Sequence, residues 1–173
     1  LARRYDRDLE PIGAEFRVNT DTAGIQRRPA VAASPSGDFL VVWQGQTGGI
    51  KDARIFGQFV GTAGNLVGPQ FRVSQGHSLS QAHISPALTA LPAGRFLVAW
   101  MDWKEIYPLG LFGVEIDGLG NEVADEIQIN NRRLTAHFRT YLSAGPNGEV
   151  FMPYESYRTN NGAGITARRV VSE

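Results

Sequence analysis

The residues with the most chemical potential form one run: Met101-Asp102-Trp103-Lys104-Glu105-Ile106-Tyr107-Pro108. It sets two large aromatics among charges. A Trp–Tyr pair of this kind anchors a protein partner or stacks on a sugar ring; the plain alternative is that Trp103 and Tyr107 pack on their own sheet. Tyr157 and Arg158 hold the corresponding place one unit later. Two arginine pairs, Arg27-Arg28 and Arg132-Arg133, with Arg139 nearby, offer guanidinium forks suited to carboxylates. The alternative for them is solvated loop charge. Together these give a candidate binding set of Trp103, Tyr107, Asp102, Lys104, Tyr157, Arg158, Arg27, Arg28, Arg132 and Arg133.

Signals for catalysis and for metals are weaker. Glycoside hydrolysis needs two carboxyl groups across a cleft, and Asp102, Glu105 and Glu155 are the available acids. Ser34-Pro35-Ser36-Gly37 is a turn, because no G-x-S-x-G frames a nucleophile there. The three histidines, His77, His83 and His137, have no spacing that fixes a metal geometry. Asp6-Arg7-Asp8 and Asn19-Thr20-Asp21 are the nearest calcium candidates, and neither completes a known ligand pattern. The expectation is a non-catalytic chain without a cofactor, calcium being the one ion left open.

Composition narrows the partners. The chain has 173 residues, enough for one domain with a core. Its 17 basic and 17 acidic residues cancel, which argues against nucleic acid and gives no pull toward an anionic membrane. No apolar run approaches the ~18 residues of a transmembrane helix. Cysteine is absent, so disulfides and thiolate chemistry are excluded. With 20 glycines and 9 prolines, turns are frequent and long helices are not expected.

The elements that must position these residues are set by a repeat. Gly37-Asp38-Phe39-Leu40-Val41-Val42-Trp43 returns as Gly94-Arg95-Phe96-Leu97-Val98-Ala99-Trp100, and again, weaker, as Gly148-Glu149-Val150-Phe151-Met152-Pro153-Tyr154. A step of about 55 residues rich in short strands points to an all-β array of β-propeller blades. Each unit reads as strands A to D. Strand A begins at Pro29, Pro86 and Thr140; a Pro-Gly turn leads to strand B, the apolar segment just quoted. Strand C includes Phe56-Gly57-Gln58-Phe59 and Phe112-Gly113-Val114, and strand D includes Phe71-Arg72-Val73 and Ile127-Gln128-Ile129. Residues 1–20 supply strands C and D of a preceding blade, 29–74 and 86–130 are blades, and 138–173 is a partial one. Pro153 suits an edge or bulged position better than a central one.

Propellers have about four to eight blades, so these units form a partial ring. Further blades of a longer chain, a second chain or another protein would complete it. The A–B turns are minimal. The B–C loops (44–54, 101–110, 155–164) and D–A connections (20–28, 75–85, 131–138) are long and share one end, where binding is expected.

Gly13-Ala14-Glu15-Phe16-Arg17-Val18-Asn19-Thr20, Pro29-Ala30-Val31-Ala32, Gly37-Asp38-Phe39-Leu40-Val41-Val42-Trp43 and Phe56-Gly57-Gln58-Phe59 resemble motifs of large extracellular bacterial repeat proteins, often found beside hemolysin-type calcium-binding repeats. The resemblance implies a propeller-like fold and an extracellular or periplasmic setting, and brings no catalytic residues. The expected role is a binding or structural module contacting protein in a larger assembly. The alternatives are a carbohydrate-binding, lectin-like module and, more distantly, a glycoside hydrolase.

Overall fold

The computed structural model describes residues 1–75, 82–104, 107–130, 141–158 and 162–170, with side chains described outside 104–109 and 155–173. The fold is all-β: four antiparallel sheets follow one another along the chain as blades of an incomplete, unclosed propeller. Blade 1 holds β1 (Ala2–Tyr5) and β2 (Pro11–Phe16). Blade 2 holds β3 (Ile25–Ala33), β4 (Phe39–Gln46), β5 (Arg54–Val60) and β6 (Leu66–Arg72). Blade 3 holds β7 (Ala82–Ala90), β8 (Phe96–Lys104), β9 (Tyr107–Ile116) and β10 (Ile127–Gln128). Blade 4 holds β11 (Ser143–Ala144), β12 (Val150–Arg158) and β13 (Gly162–Val170). Within each sheet, neighbours in space are neighbours in sequence.

Local chemistry fixes the meander. In the A–B turns, Ser34 N–H donates to Asp38 O, Leu91 N–H to Arg95 O and Gly145 N–H to Glu149 O. Gly37, Gly94 and Gly148 take φ of 92°, 72° and 83°, a region that favours glycine. The C–D turns repeat a different device. Asp6 Oδ1 accepts from the Asp8 and Glu10 amides, and Asp117 Oδ1 accepts from the Leu119 and Asn121 amides. The calcium candidate at Asp6 is thus a turn cap. In the other candidate, Asn19 Nδ2 donates to Asp21 O and Asp21 Oδ1 accepts from Ala23 N–H. Among the described residues no three acids or histidines converge as metal ligands.

The apolar B strands serve two interfaces because side chains alternate along a strand. Leu40 and Val42 of β4 pack with Phe96, Val98 and Trp100 of β8 between blades 2 and 3. Phe39, Val41 and Trp43 turn the other way, toward Phe16 and Val18 of blade 1. On β8, Ala99 and Met101 face Met152 of blade 4, and Leu97 faces Val150. The core is therefore a series of seams between blades.

Three expectations need correction. Strands A start earlier than Pro29 and Pro86: Arg27, Arg28 and His83 lie inside β3 and β7, not in D–A connections. The backbone ladder continues past a bulge at each proline, between Arg27 and Ala30 and between Ile84 and Ala87. Proline has no N–H to donate, so the ladder skips it. Second, β8 and β9 extend through most of the presumed loop after Trp100, pairing as far as Lys104 with Tyr107. β12 and β13 likewise run to Arg158 and from Gly162. Third, Pro153 sits in the middle strand of its sheet. It is tolerated because β11 pairs with β12 only at Val150 and Phe151, leaving that side of Pro153 without a ladder among the described residues.

Candidate functional site

At the end of the sheets where strand A begins, the seam between blades 2 and 3 changes from apolar to polar. The face of β4 that carries Leu40 and Val42 continues as Gln44 and Gln46, both buried. Buried amides need partners, and here they form a chain. Arg27 Nη2 donates to Gln46 Oε1 at 3.2 Å, Gln44 Nε2 donates to the same oxygen at 3.2 Å, and Arg28 Nη1 donates to Gln44 Oε1 at 3.3 Å. Arg28 Nη1 also crosses the seam to Ser85 Oγ at 2.8 Å. Both arginines are exposed, so a buried polar row ends in guanidinium groups at the surface.

Blade 3 contributes a second cluster. Trp100 Nε1 donates to Asp102 Oδ1 at 3.0 Å. The His83 ring stacks on Trp100, with centroids 5.7 Å apart and planes 17° apart, and its Nε2 lies 3.5 Å from Asp102 Oδ1. The His83 amide donates to Ala53 O of blade 2, fastening the two blades. Burial, then the charges of Arg54 and Arg72, push the His83 pKa down to about 4. The carboxylate pulls the other way, but desolvation of a fully enclosed imidazolium is the larger effect. His83 is neutral at neutral pH and lies enclosed against the face of Trp100.

The binding set expected from sequence is dispersed. Arg27 and Arg28 reach the polar row. Asp102 is buried and hydrogen-bonded rather than displayed in a loop. Trp103 is half-buried and packs on the seam between blades 3 and 4, one residue beyond Asp102 at the same end of the sheet. For Lys104, Tyr107, Tyr157 and Arg158 the backbone lies in strands, and their side chains fall outside the described residues, as does that of Glu155. Arg132, Arg133, Arg139, His77, His137 and Glu105 lie outside the described residues altogether. No acid pair therefore stands on Asp102, Glu105 and Glu155 among the described side chains.

Gln44, Gln46 and Ser85 were not anticipated. The signal for the glutamines was the alternation itself: the Leu40–Val42 face turns polar at its next two positions while remaining enclosed.

Neither a protein-family model nor a curated protein sequence matches the chain. Solved structures do. A protein of unknown function from Dyadobacter fermentans superposes with a TM-score of 0.66 at 11% identity, covering 90% of this chain and 53% of that one. An endo-arabinase from Bacteroides thetaiotaomicron gives 0.57 at 9% identity, with 94% and 62% covered. A thermostable family-43 glycoside hydrolase gives 0.59 at 12% identity, with 86% and 55% covered. The chain thus spans 53% to 62% of the length of these proteins. At such identities the likeness shows the fold.

Two expectations change. The likeness shows a propeller-like fold, shared by a protein of unknown function and by glycoside hydrolases, and does not single out the repeats found beside hemolysin-type modules. The expectation that the chain is no enzyme does not stand either, because glycoside hydrolases recur among the structures of like fold.

Proposed function

We propose that the chain recognises carbohydrate at the polar end of the seam between blades 2 and 3. One observation carries this: the row Arg27–Gln46–Gln44–Arg28–Ser85, held by its own hydrogen bonds and opening at exposed guanidinium groups. Polyols are bound by planar amides and guanidinium forks whose geometry is fixed in advance, since prior ordering lowers the entropic cost of binding. Trp103 lies at the same end of the sheets but in the neighbouring seam between blades 3 and 4, where it would offer an aromatic edge to a ring of an oligosaccharide running past the polar row. The endo-arabinase of like fold makes arabino-oligosaccharides the first probes. The setting proposed with this role is extracellular or periplasmic, where polymeric glycans are met.

Isothermal titration with arabino- and xylo-oligosaccharides tests the proposal, followed by a neutral-glycan array. Arg28→Ala and Trp103→Ala should each weaken binding by about tenfold, a loss of about 1.4 kcal/mol. No binding to any neutral glycan at millimolar concentration would sink it, as would binding that neither substitution alters.

A second reading, contact with protein in a larger assembly, is favoured by Phe151. This residue is 55% exposed, whereas Leu40 and Leu97, at the same position in blades 2 and 3, are 0% and 5% exposed. Phe151→Ser should lower affinity for a copurifying protein without altering glycan binding; unchanged copurification would count against this reading.

A further inference from the structure

The charges of the chain cancel in sum but not in space. The A–B and C–D turns, which share one end of the sheets, hold Asp6, Asp8, Glu10, Asp38, Asp117 and Glu149. The bases within those turns are Arg7 and Arg95, and they pair with Asp8 and Glu115. The opposite end of the seam between blades 2 and 3 is basic. Arg27 and Arg28 are exposed there, Lys51 lies in the exposed turn Ile50–Asp52, Arg54 opens β5 and Arg72 closes β6. The described acids at this end are engaged or local. Asp21 Oδ1 accepts from the Ala23 amide, Asp102 Oδ1 accepts from the Trp100 indole, and Asp52 adjoins Lys51.

Arg27 and Arg72 are held in place by uncharged oxygens. Arg27 Nη2 donates to Gln46 Oε1. Arg72 Nε donates to Ser74 O at 2.6 Å, and its Nη2 donates to Gln75 O at 2.8 Å. Among the described residues no carboxylate pairs with either arginine. Burial, then the charge of Arg54, push the Arg72 pKa below its ordinary value, and Arg54 and Arg72 both act on His83. Like charges gathered where water is partly excluded repel more strongly than they would in bulk water. A bound anion would relieve that repulsion.

Given the carbohydrate reading above, on which this rests, we propose that the glycan taken at this end is acidic. It carries a sugar of the uronic acid class, whose carboxylate docks on the Arg27 guanidinium in the positive field of Arg28, Arg54 and Arg72. A planar guanidinium offers paired N–H donors that match a planar carboxylate in two parallel bonds. The bond to Gln46 occupies one N–H of Arg27 and fixes the group, so the donors that remain are ordered before the ligand arrives.

The probes are xylotriose bearing one glucuronosyl group and an oligogalacturonate, each set against its own carboxyl-reduced form. They are titrated calorimetrically into the intact chain. At least one acid should bind about tenfold more tightly than its reduced form at about 0.01 M salt, where the Debye length is about 30 Å. That ratio should shrink severalfold near 1 M salt, where the Debye length is about 3 Å. The reduced form should still bind at millimolar concentration, as the carbohydrate reading requires. Arg27→Gln should bring the ratio near one. Arg27→Lys should keep part of it, since the charge remains while the fork is lost. Arg72→Gln should lower it. Equal affinity for acid and reduced sugar in both pairs would overturn this inference and leave the carbohydrate reading standing. A ratio unmoved by Arg27→Gln would overturn it as well. Binding of neither form would overturn the carbohydrate reading itself, and this inference with it. Tetraglutamate that displaced the sugar as effectively as the uronate does would also overturn it, assigning the arginines to an acidic protein.

Discussion

Arg28 and Ser85 are the same residue of the repeat in adjacent blades. They are 57 positions apart, each precedes a proline at a bulge, and each adopts left-handed φ, 56° and 55°. Arg28 Nη1 donates to Ser85 Oγ at 2.8 Å. A left-handed conformation costs a residue with a Cβ about 1–2 kcal/mol, and such strain persists only where surrounding contacts hold it. The bond joins two strained positions across the seam and completes the polar row.

Replacing Arg28 separates these contributions. Arg28→Ala loses the bonds to Ser85 and Gln44 but keeps the strain, and should cost about 1–2 kcal/mol in chemical denaturation. Arg28→Gly loses the same bonds but relieves the strain, and should be less harmful by up to about 1 kcal/mol. With Ser85→Ala, a double-mutant cycle should show coupling of at least about 0.5 kcal/mol. Strict additivity would remove Arg28 and Ser85 as a functional pair.

Ser74 and Asn130 perform a second repeated task. Ser74 Oγ accepts the Ile55 amide at 3.1 Å, and Asn130 Oδ1 accepts the Leu111 amide at 2.7 Å. Each side chain, just after strand D has ended, tethers an amide of strand C, that of the second residue of β5 and of the fifth residue of β9. Both amides are enclosed, so alanine at either position should cost about 1–3 kcal/mol by stranding a buried donor. Asn130→Ser should recover part of the loss, since serine does this work one blade earlier. Equal stability of Asn130→Ser and Asn130→Ala would refute the equivalence.

The fold was legible because its determinants are local. Pro-Gly turns and apolar B strands recur at a constant step, and each is visible within a few residues. The site was not, for two physical reasons. Ladder hydrogen bonds extend strands beyond their apolar stretches, so Arg28, His83 and Trp103 entered strands although their neighbours read as loop. Gln44 and Gln46 look like the polar end of a strand until the adjacent blade encloses them. That enclosure depends on blade packing, which no short window of sequence contains.

His83 should govern part of the acid sensitivity. Its folded pKa is about 4 against an ordinary 6.5. Between those values the unfolded chain takes up a proton that the folded chain refuses, so stability falls as pH drops from about 6.5 to about 4 and is fully present above 6.5. The loss is at most about 3 kcal/mol at 1.36 kcal/mol per pH unit. His83→Gln removes the titration, and its denaturation midpoint should be flatter over that window. Parallel pH profiles for the two proteins would show that other groups dominate.

Equivalent positions in the repeat should differ sharply in their tolerance to substitution. Leu97 is enclosed with Leu91 and Val150 between blades 3 and 4. Leu97→Ala should cost about 2–5 kcal/mol, the lost transfer energy plus the cavity left behind. Phe151 occupies the same repeat position in blade 4 and stands mostly in water. Phe151→Ser should therefore stay within about 0.5 kcal/mol of the parent, as expected of a surface change. Denaturation of both variants reads the contrast directly. A Phe151→Ser cost approaching that of Leu97→Ala would mean that the outer face of blade 4 is covered in solution. In that case the cost should depend on protein concentration if a second copy covers it.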